Sequence, residues 1–293
     1  MTITRLGTLT CRVGEGPLWD PTEAALYFVD IVEQLIWRLD PPTGATRQWR
    51  TPAPVAAVAL SANARMIAVL DDGFYDIDRA SGACRLIARA PIDGQRTPFN
   101  DAKVDRQGRL VAVTSARGVD TAAAGIYRLA WERGRPRVDQ IDSDYVLGNG
   151  PCWSPSGELF YCADSLRKLI HVYDYDPDTG CAVHRRLFAD TTALGGIPDG
   201  ATVDAAGRIW VALCGAGKIV CFEPDGRILR VIDMPTLWTA SLTFGGTAFD
   251  RLFVTTLDPS VVGQAPDALA GCLFVIDELG ARGLPEPLMS SID

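Results

Sequence analysis

The chain has 293 residues, 47% of them hydrophobic, enough for one large all-β domain or two average ones with an ample core. A net charge of −8 argues against a nucleic-acid backbone or an anionic membrane surface as partner. No apolar run is long enough to cross a bilayer, and Met1-Thr2-Ile3-Thr4-Arg5-Leu6-Gly7 lacks a secretory pattern, so a cytoplasmic protein is expected.

Along the whole chain, short runs rich in Val, Ile, Phe, Tyr and Trp alternate with Gly, Pro and Asp, the pattern of an all-β fold. Residues 2–13 belong to no repeating unit of their own and are expected to lend an outer strand to the last one. The first unit opens at Glu15 and runs through 26–30 and 35–40 to the turn at Pro42-Thr43-Gly44. The second opens at Val55 and runs through 66–69 and 73–78 to Ser81-Gly82. The third opens at Asn100, passes 125–129 and turns at Arg133-Gly134. The fourth opens at Asn149, passes 169–176 and turns at 178–180, and the fifth opens at Asp199, passes 218–222 and turns at 224–226. The sixth begins near Ala240, includes 252–256 and 271–277, and turns at Leu279-Gly280. Six units of roughly 40–50 residues have the period of four-stranded propeller blades, which bury both faces only by stacking around an axis. The expected fold is all-β: one six-bladed β-propeller domain over residues 1–293, with a central channel and a ring closed by the N-terminal strand. Residues 116–125 read as an insertion, either a lid at the channel mouth or a plain surface loop.

Glu15, Asn100, Asn149 and Asp199 each precede a turn residue (Asp20, Asp105, Ser154 and Asp204) by five positions. The first strand of each blade lines the channel, so these residues form a ring, completed by Val55 and Ala240. Each motif alone marks a β-turn more often than a ligand. Four oxygen-bearing side chains at one register shift the reading to a site, because two carboxylates on one axis call for a cation or a shared proton. Carboxylate and amide oxygens suit Ca²⁺, Mg²⁺ or Mn²⁺, with Fe²⁺ and Zn²⁺ as further candidates. Asp20, Asp105 and Asp204, and likewise Asp40, Asp78 and Asp176, read as turn formers, and Trp19, Trp153 and Trp210 as inter-blade core. Eight scattered cysteines without a C-x-x-C read mostly as small buried hydrophobes, and two histidines, His171 and His184, are too few for a histidine zinc site.

Gly14-Glu15-Gly16-Pro17, Phe99-Asn100-Asp101, Asn149-Gly150 and Pro198-Asp199-Gly200 form a set, joined by Asp204, Trp210-Val211-Ala212 and Phe244-Gly245-Gly246. Together they resemble the gluconolactonase, regucalcin and senescence-marker-protein family of six-bladed propellers, over essentially the whole chain. The resemblance implies that Glu15, Asn149 and Asp199 bind one divalent cation, Ca²⁺ foremost, and that Asn100 contacts the metal-bound water or the substrate. The family's Arg-x-Asn-Asp-Gly is Pro98-Phe99-Asn100-Asp101-Ala102 here, so Pro98 stands where an arginine holds substrate hydroxyls. A less polar lactone therefore joins the sugar lactones as a candidate.

The expected function is metal-dependent hydrolysis of a lactone, a sugar aldonolactone or a related ring, by a metal-activated water. Asp199 is the expected general base. Asn100 is expected to position water or substrate, and Phe99 and Trp238 either wall the substrate or pack in the core. The absence of G-x-S-x-G argues against an α/β-hydrolase nucleophile. The alternatives are a metal-dependent phosphotriesterase or arylesterase, and a non-catalytic calcium-binding or scaffold propeller.

Overall fold

The computed structural model describes residues 1–61, 65–116 and 122–290, so residues 117–121 of the insertion expected at 116–125 lie outside the described residues. Six four-stranded antiparallel sheets make six blades, and among the described residues there is no α-helix, only two short 3₁₀ turns. The innermost strands are Gly14–Asp20, Val55–Leu60, Phe99–Val104, Gly148–Trp153, Ile197–Val203 and Thr239–Gly245. In five blades the four strands follow one another in the chain; in the sixth, the N-terminal strand Thr2–Thr10 pairs outside Cys272–Asp277 and closes the ring, as expected.

The second strands, such as Ala25–Asp30, Met66–Leu70 and Ile209–Cys214, are buried along their full length because both faces meet other blades. Their sequences accordingly read as continuous apolar runs rather than alternating ones. The core lies between blades. Trp19 stacks on Phe253 of the sixth blade with ring centres 5.1 Å apart, and Trp210 meets Phe244 edge-on at 5.9 Å. Trp153 joins a cluster holding Val111 and Val113 of the third blade.

The repeated aspartates are turn formers. Asp20 accepts from the N–H of Thr22 (2.8 Å), Asp105 from Gln107 and Arg109 (3.0 and 2.8 Å), and Asp204 from Ala206 and Arg208 (both 2.9 Å). Asp40, Asp78 and Asp176 do the same at the outer hairpins, accepting from Thr43, Ser81 and Asp178 (3.0, 2.7 and 2.9 Å). These side chains satisfy donors that a tight turn leaves unpaired.

Residues 283–290 follow a path that the repeat does not anticipate. Gly283 bridges Asp204 and its N–H donates to Phe249 O (2.8 Å). Met289 N donates to Leu60 O (2.7 Å) and Ser290 N to Gly108 O (2.9 Å). The segment thus straps turns of the sixth, fifth, second and third blades together, across the end of the channel opposite the starts of the innermost strands.

Candidate active site

All six innermost strands carry an irregularity in pairing near their first residues: between Glu15 and Leu18, Val55 and Ala57, Phe99 and Asp101, Asn149 and Cys152, Pro198 and Ala201, and Thr239 and Ser241. A bulge re-aims side chains that a regular pleat would direct into the inter-blade core. Its recurrence brings Glu15, Asn100, Asn149 and Asp199 to one level of the channel. The second-blade member is Ala56 rather than Val55: Ser61, whose N–H donates to Arg65 O (3.0 Å), occupies the place of Asp105 and Asp204, and Ala56 lies five positions before it. With Ala240 in the sixth blade, two of the six positions carry only methyl groups. The polar arc therefore spans blades one, three, four and five.

Glu15, Asn149 and Asp199 are buried, and Asn100 partly so. The Asn100 amide nitrogen donates to Asn149 Oδ1 (2.8 Å) and to Gly148 O (3.0 Å). Both its hydrogens are thereby used, which leaves its Oδ1 as an acceptor toward the channel. Asn149 donates in turn to Ser165 Oγ (2.9 Å), so one lone pair of its Oδ1 remains. Glu15 accepts from Gly16 N (3.1 Å) and is in hydrogen-bonding contact with the Ser241 hydroxyl. Asp199 is held by Gly200 N and the Cys214 thiol.

Burial, foremost, and mutual repulsion drive the proton affinities of this group upward. Glu15 is raised well above the carboxylate range by desolvation and then by the charges of Asp199 and Asp101, and Asp199 by desolvation and then by Asp101. Among the described residues neither carboxylate has a cationic partner. Cys214 is pushed up by burial and by the Asp199 and Glu15 charges, so its thiol stays protonated and acts as a donor, not a nucleophile.

Asp101 is the member that sequence reasoning missed. In blades one, four and five the residue after the ring position is Gly16, Gly150 or Gly200, and at Gly150 and Gly200 a side chain would press into a neighbouring strand. A Cβ on Gly150 would lie 2.7 Å from Asp199 O, and one on Gly200 would lie 2.7 Å from Ser241 Cα and closer still to its side chain. The third blade has Asp101 instead. It is buried, accepts from Gly150 N (2.9 Å) and Ala102 N (2.7 Å), and is pushed up to about 6 by desolvation, against the lowering charge of Lys103. The signal was present in the aligned motifs as an aspartate where three blades have glycine.

The other expected residues sit as follows. Phe99 is buried between Phe74 and Tyr127, with ring centres 5.2 and 5.9 Å away, so its ring takes the packing role. Trp238 is half-buried at the entry to Thr239–Gly245, where its carbonyl accepts from Leu257 N (3.0 Å). His171 lies on the third strand of the fourth blade against Tyr145, and His184 is exposed beside Asp174 (2.9 Å); neither reaches the channel.

The donor set is therefore two buried, uncompensated carboxylates and two amide oxygens, with Asp101 engaged by backbone N–H groups beside them. Among the described residues no three His, Cys, Asp or Glu side chains gather into a metal-binding cluster. An oxygen set of this kind, lacking a counter-charge, fits one hard divalent cation.

Residues 13–258 match the family model described as the SMP-30/Gluconolactonase/LRE-like region. The chain is 34% identical to pentonolactonase XacC of Haloferax volcanii, over 98% of this chain and 97% of the relative. It is 32% identical to regucalcin of Oryctolagus cuniculus, over 94% of each. Its fold superposes with a TM-score of 0.88 on a calcium-binding protein, regucalcin, from Agrobacterium tumefaciens, at 26% identity over 97% of this chain and 96% of that one. Among the described residues no helix is long and apolar enough to cross a membrane. The chain belongs to the SMP-30/gluconolactonase/LRE-like family.

Proposed function

We propose that this protein is a lactonase that opens its substrate by hydrolysis, with one divalent cation, Ca²⁺ foremost, held by Glu15, Asn149 and Asp199. The observation that carries the reading is the pair of buried carboxylates, Glu15 and Asp199, with no cationic side chain to balance them among the described residues. The similarity to a protein named pentonolactonase supplies the reaction class.

A bound cation supplies Lewis acidity, polarising the lactone carbonyl and lowering the pKa of a nearby water. The chain's own residues do the rest. Asn100, its amide nitrogen spent on Asn149 and Gly148, presents Oδ1 as a fixed acceptor that orients water or a substrate hydroxyl. Asp199 accepts the proton from the attacking water, as a carboxylate beside the bound cation can. The Cys214 thiol and Gly200 N fix its orientation. Trp238, half-buried just before the innermost strand of the sixth blade, would flank a substrate ring.

A second reading, cation binding without turnover, draws on the same carboxylate pair and on the similarity to a protein described as calcium-binding. Hydrolysis of a panel of five- and six-membered sugar lactones and aromatic lactones, followed with a pH indicator in chelated and Ca²⁺-restored protein, separates the two. Cation-restored turnover that Asp199→Asn lowers by about 100-fold or more, the scale of a general base, supports the lactonase. Cation binding with no turnover on any lactone leaves the second reading.

A further inference from the structure

The channel floor carries charges that the proposed chemistry does not use. Lys103 lies two residues beyond Asp101 on the same innermost strand, and its Nζ donates to Ala201 O in the fifth blade (2.8 Å). It also pairs with Glu286 Oε1 at 3.3 Å, and Arg106 approaches the other oxygen of Glu286 at 3.9 Å. The Thr202 hydroxyl donates to Glu286 as well (3.4 Å). All three charged side chains are largely withdrawn from solvent, with Glu286 at 10% exposure. Glu286 belongs to the strap of residues 283–290, so the strap's only carboxylate is set beneath the ring. A small cavity of about 30 Å³ separates the two levels, lined by Gly16, Asp101 and Ser241 on the site's side and by Lys103, Glu286 and Pro287 on the other. That volume suffices for water.

Down the channel the charges alternate: Asp101 negative, Lys103 positive, Glu286 negative, Arg106 positive. Without Glu286 the floor would hold two cations facing a site that must itself attract one. Charges withdrawn from bulk solvent, as these are, are screened less by salt than surface charges and act over several ångströms.

We propose that Glu286 sets the cation affinity of the site from below, as the counter-ion that offsets one of the two positive charges, Lys103 and Arg106, at the channel floor. The inference rests on the cation reading above. It assigns Glu286 no contact with substrate or ion; its effect passes through the field.

The test is calorimetric titration of Ca²⁺ into chelated full-length protein at pH 8, with a thermal melt of each variant. Wild type, Glu286→Gln, Lys103→Met and the double variant are compared. Glu286→Gln is expected to weaken Ca²⁺ binding by about tenfold, the scale of one unit charge acting through a partly polar interior. Lys103→Met is expected to tighten binding, and the double variant to return near wild type, even where the melts show all three less stable. A double variant weaker than either single one would show a merely structural role and overturn the inference. Wild-type binding unchanged in every variant would also overturn it while leaving the cation site standing. Wild type that binds no Ca²⁺, Mg²⁺ or Mn²⁺ would remove the cation reading itself and this inference with it.

Discussion

Asp101 shows how one side chain can serve a site without belonging to its ligand set. Its two oxygens accept from Gly150 N and Ala102 N, and its charge is answered by Lys103. It therefore ties the third blade to the fourth directly below the ring, at the level where Gly150 and Gly200 leave no room for side chains of their own. Asp101→Ala would leave Gly150 N without its acceptor and Lys103 without its nearest counter-charge on the site's side. Removing one partner of a buried hydrogen-bonded charge costs about 2–4 kcal/mol. Asp101→Asn keeps an acceptor for Gly150 N and should cost clearly less. Denaturant unfolding of chelated protein checks the order, wild type most stable, then Asn, then Ala. Equal loss in the two variants would mean that the charge, not the acceptor, is what the position supplies.

At the scale of the strand, the recurring bulge does the positioning, and it depends on close approach between neighbouring innermost strands. Gly200 lies against Ser241 so tightly that an added Cβ would overlap the serine side chain. Gly200→Ala should therefore push the strand Ile197–Val203 away from Thr239–Gly245, destabilise by about 1–3 kcal/mol as overpacking does, and shift Asp199 with it. Adding Ser241→Gly should recover part of the stability; a melt of the single and double variants reads this, and no recovery would place the clash elsewhere. The repeat itself was open to sequence reading because the turn aspartates Asp20, Asp105 and Asp204 keep a fixed distance from Glu15, Asn100 and Asp199, and turns are the most local part of a fold. The second blade has Ser61 in place of such an aspartate, so the turn gives its register less sharply, and the expected Val55 stands one residue before the actual member, Ala56. Phe99 was ambiguous because a bulge decides which neighbour faces the channel, and a bulge has no composition of its own. The strap of residues 283–290 was not legible at all. Its partners, Leu60, Gly108, Asp204 and Phe249, are scattered over four blades, and only the closed ring brings them to one face.

For the molecule as a whole, the buried carboxylates make pH and cation act on the same equilibrium. Glu15, Asp101 and Asp199 all hold protons more tightly in the folded protein than the usual carboxylate, Asp101 up to about 6. In the unfolded chain they titrate near 4. Between those values the folded state binds more protons than the unfolded one, so these groups contribute stability at the acid end of that window, and the contribution is lost as pH rises through the folded values. The solvent-exposed turn carboxylates, such as Asp78 and Asp176, are shifted the other way by backbone and hydroxyl donors, and their contribution fades only below the unfolded values, outside this window. His171, whose proton affinity burial lowers, opposes the trend within the window, so the melting temperature of chelated protein alone is not a clean readout. The difference made by Ca²⁺ is, because His171 lies away from the channel and is common to both arms. A cation can take Glu15 and Asp199 only in their ionised forms, and it displaces their protons. The rise in melting temperature on adding saturating Ca²⁺ should therefore be small at pH 5 and grow steadily toward pH 7.5, reaching several degrees, since about 1 kcal/mol corresponds to 2–4 °C in a protein of this size. Thermal melts at matched ionic strength, with and without Ca²⁺, measure it directly. A Ca²⁺ increment that stays constant across this range would mean that the ion binds away from the buried carboxylates, and the channel would lose its claim to be the cation site.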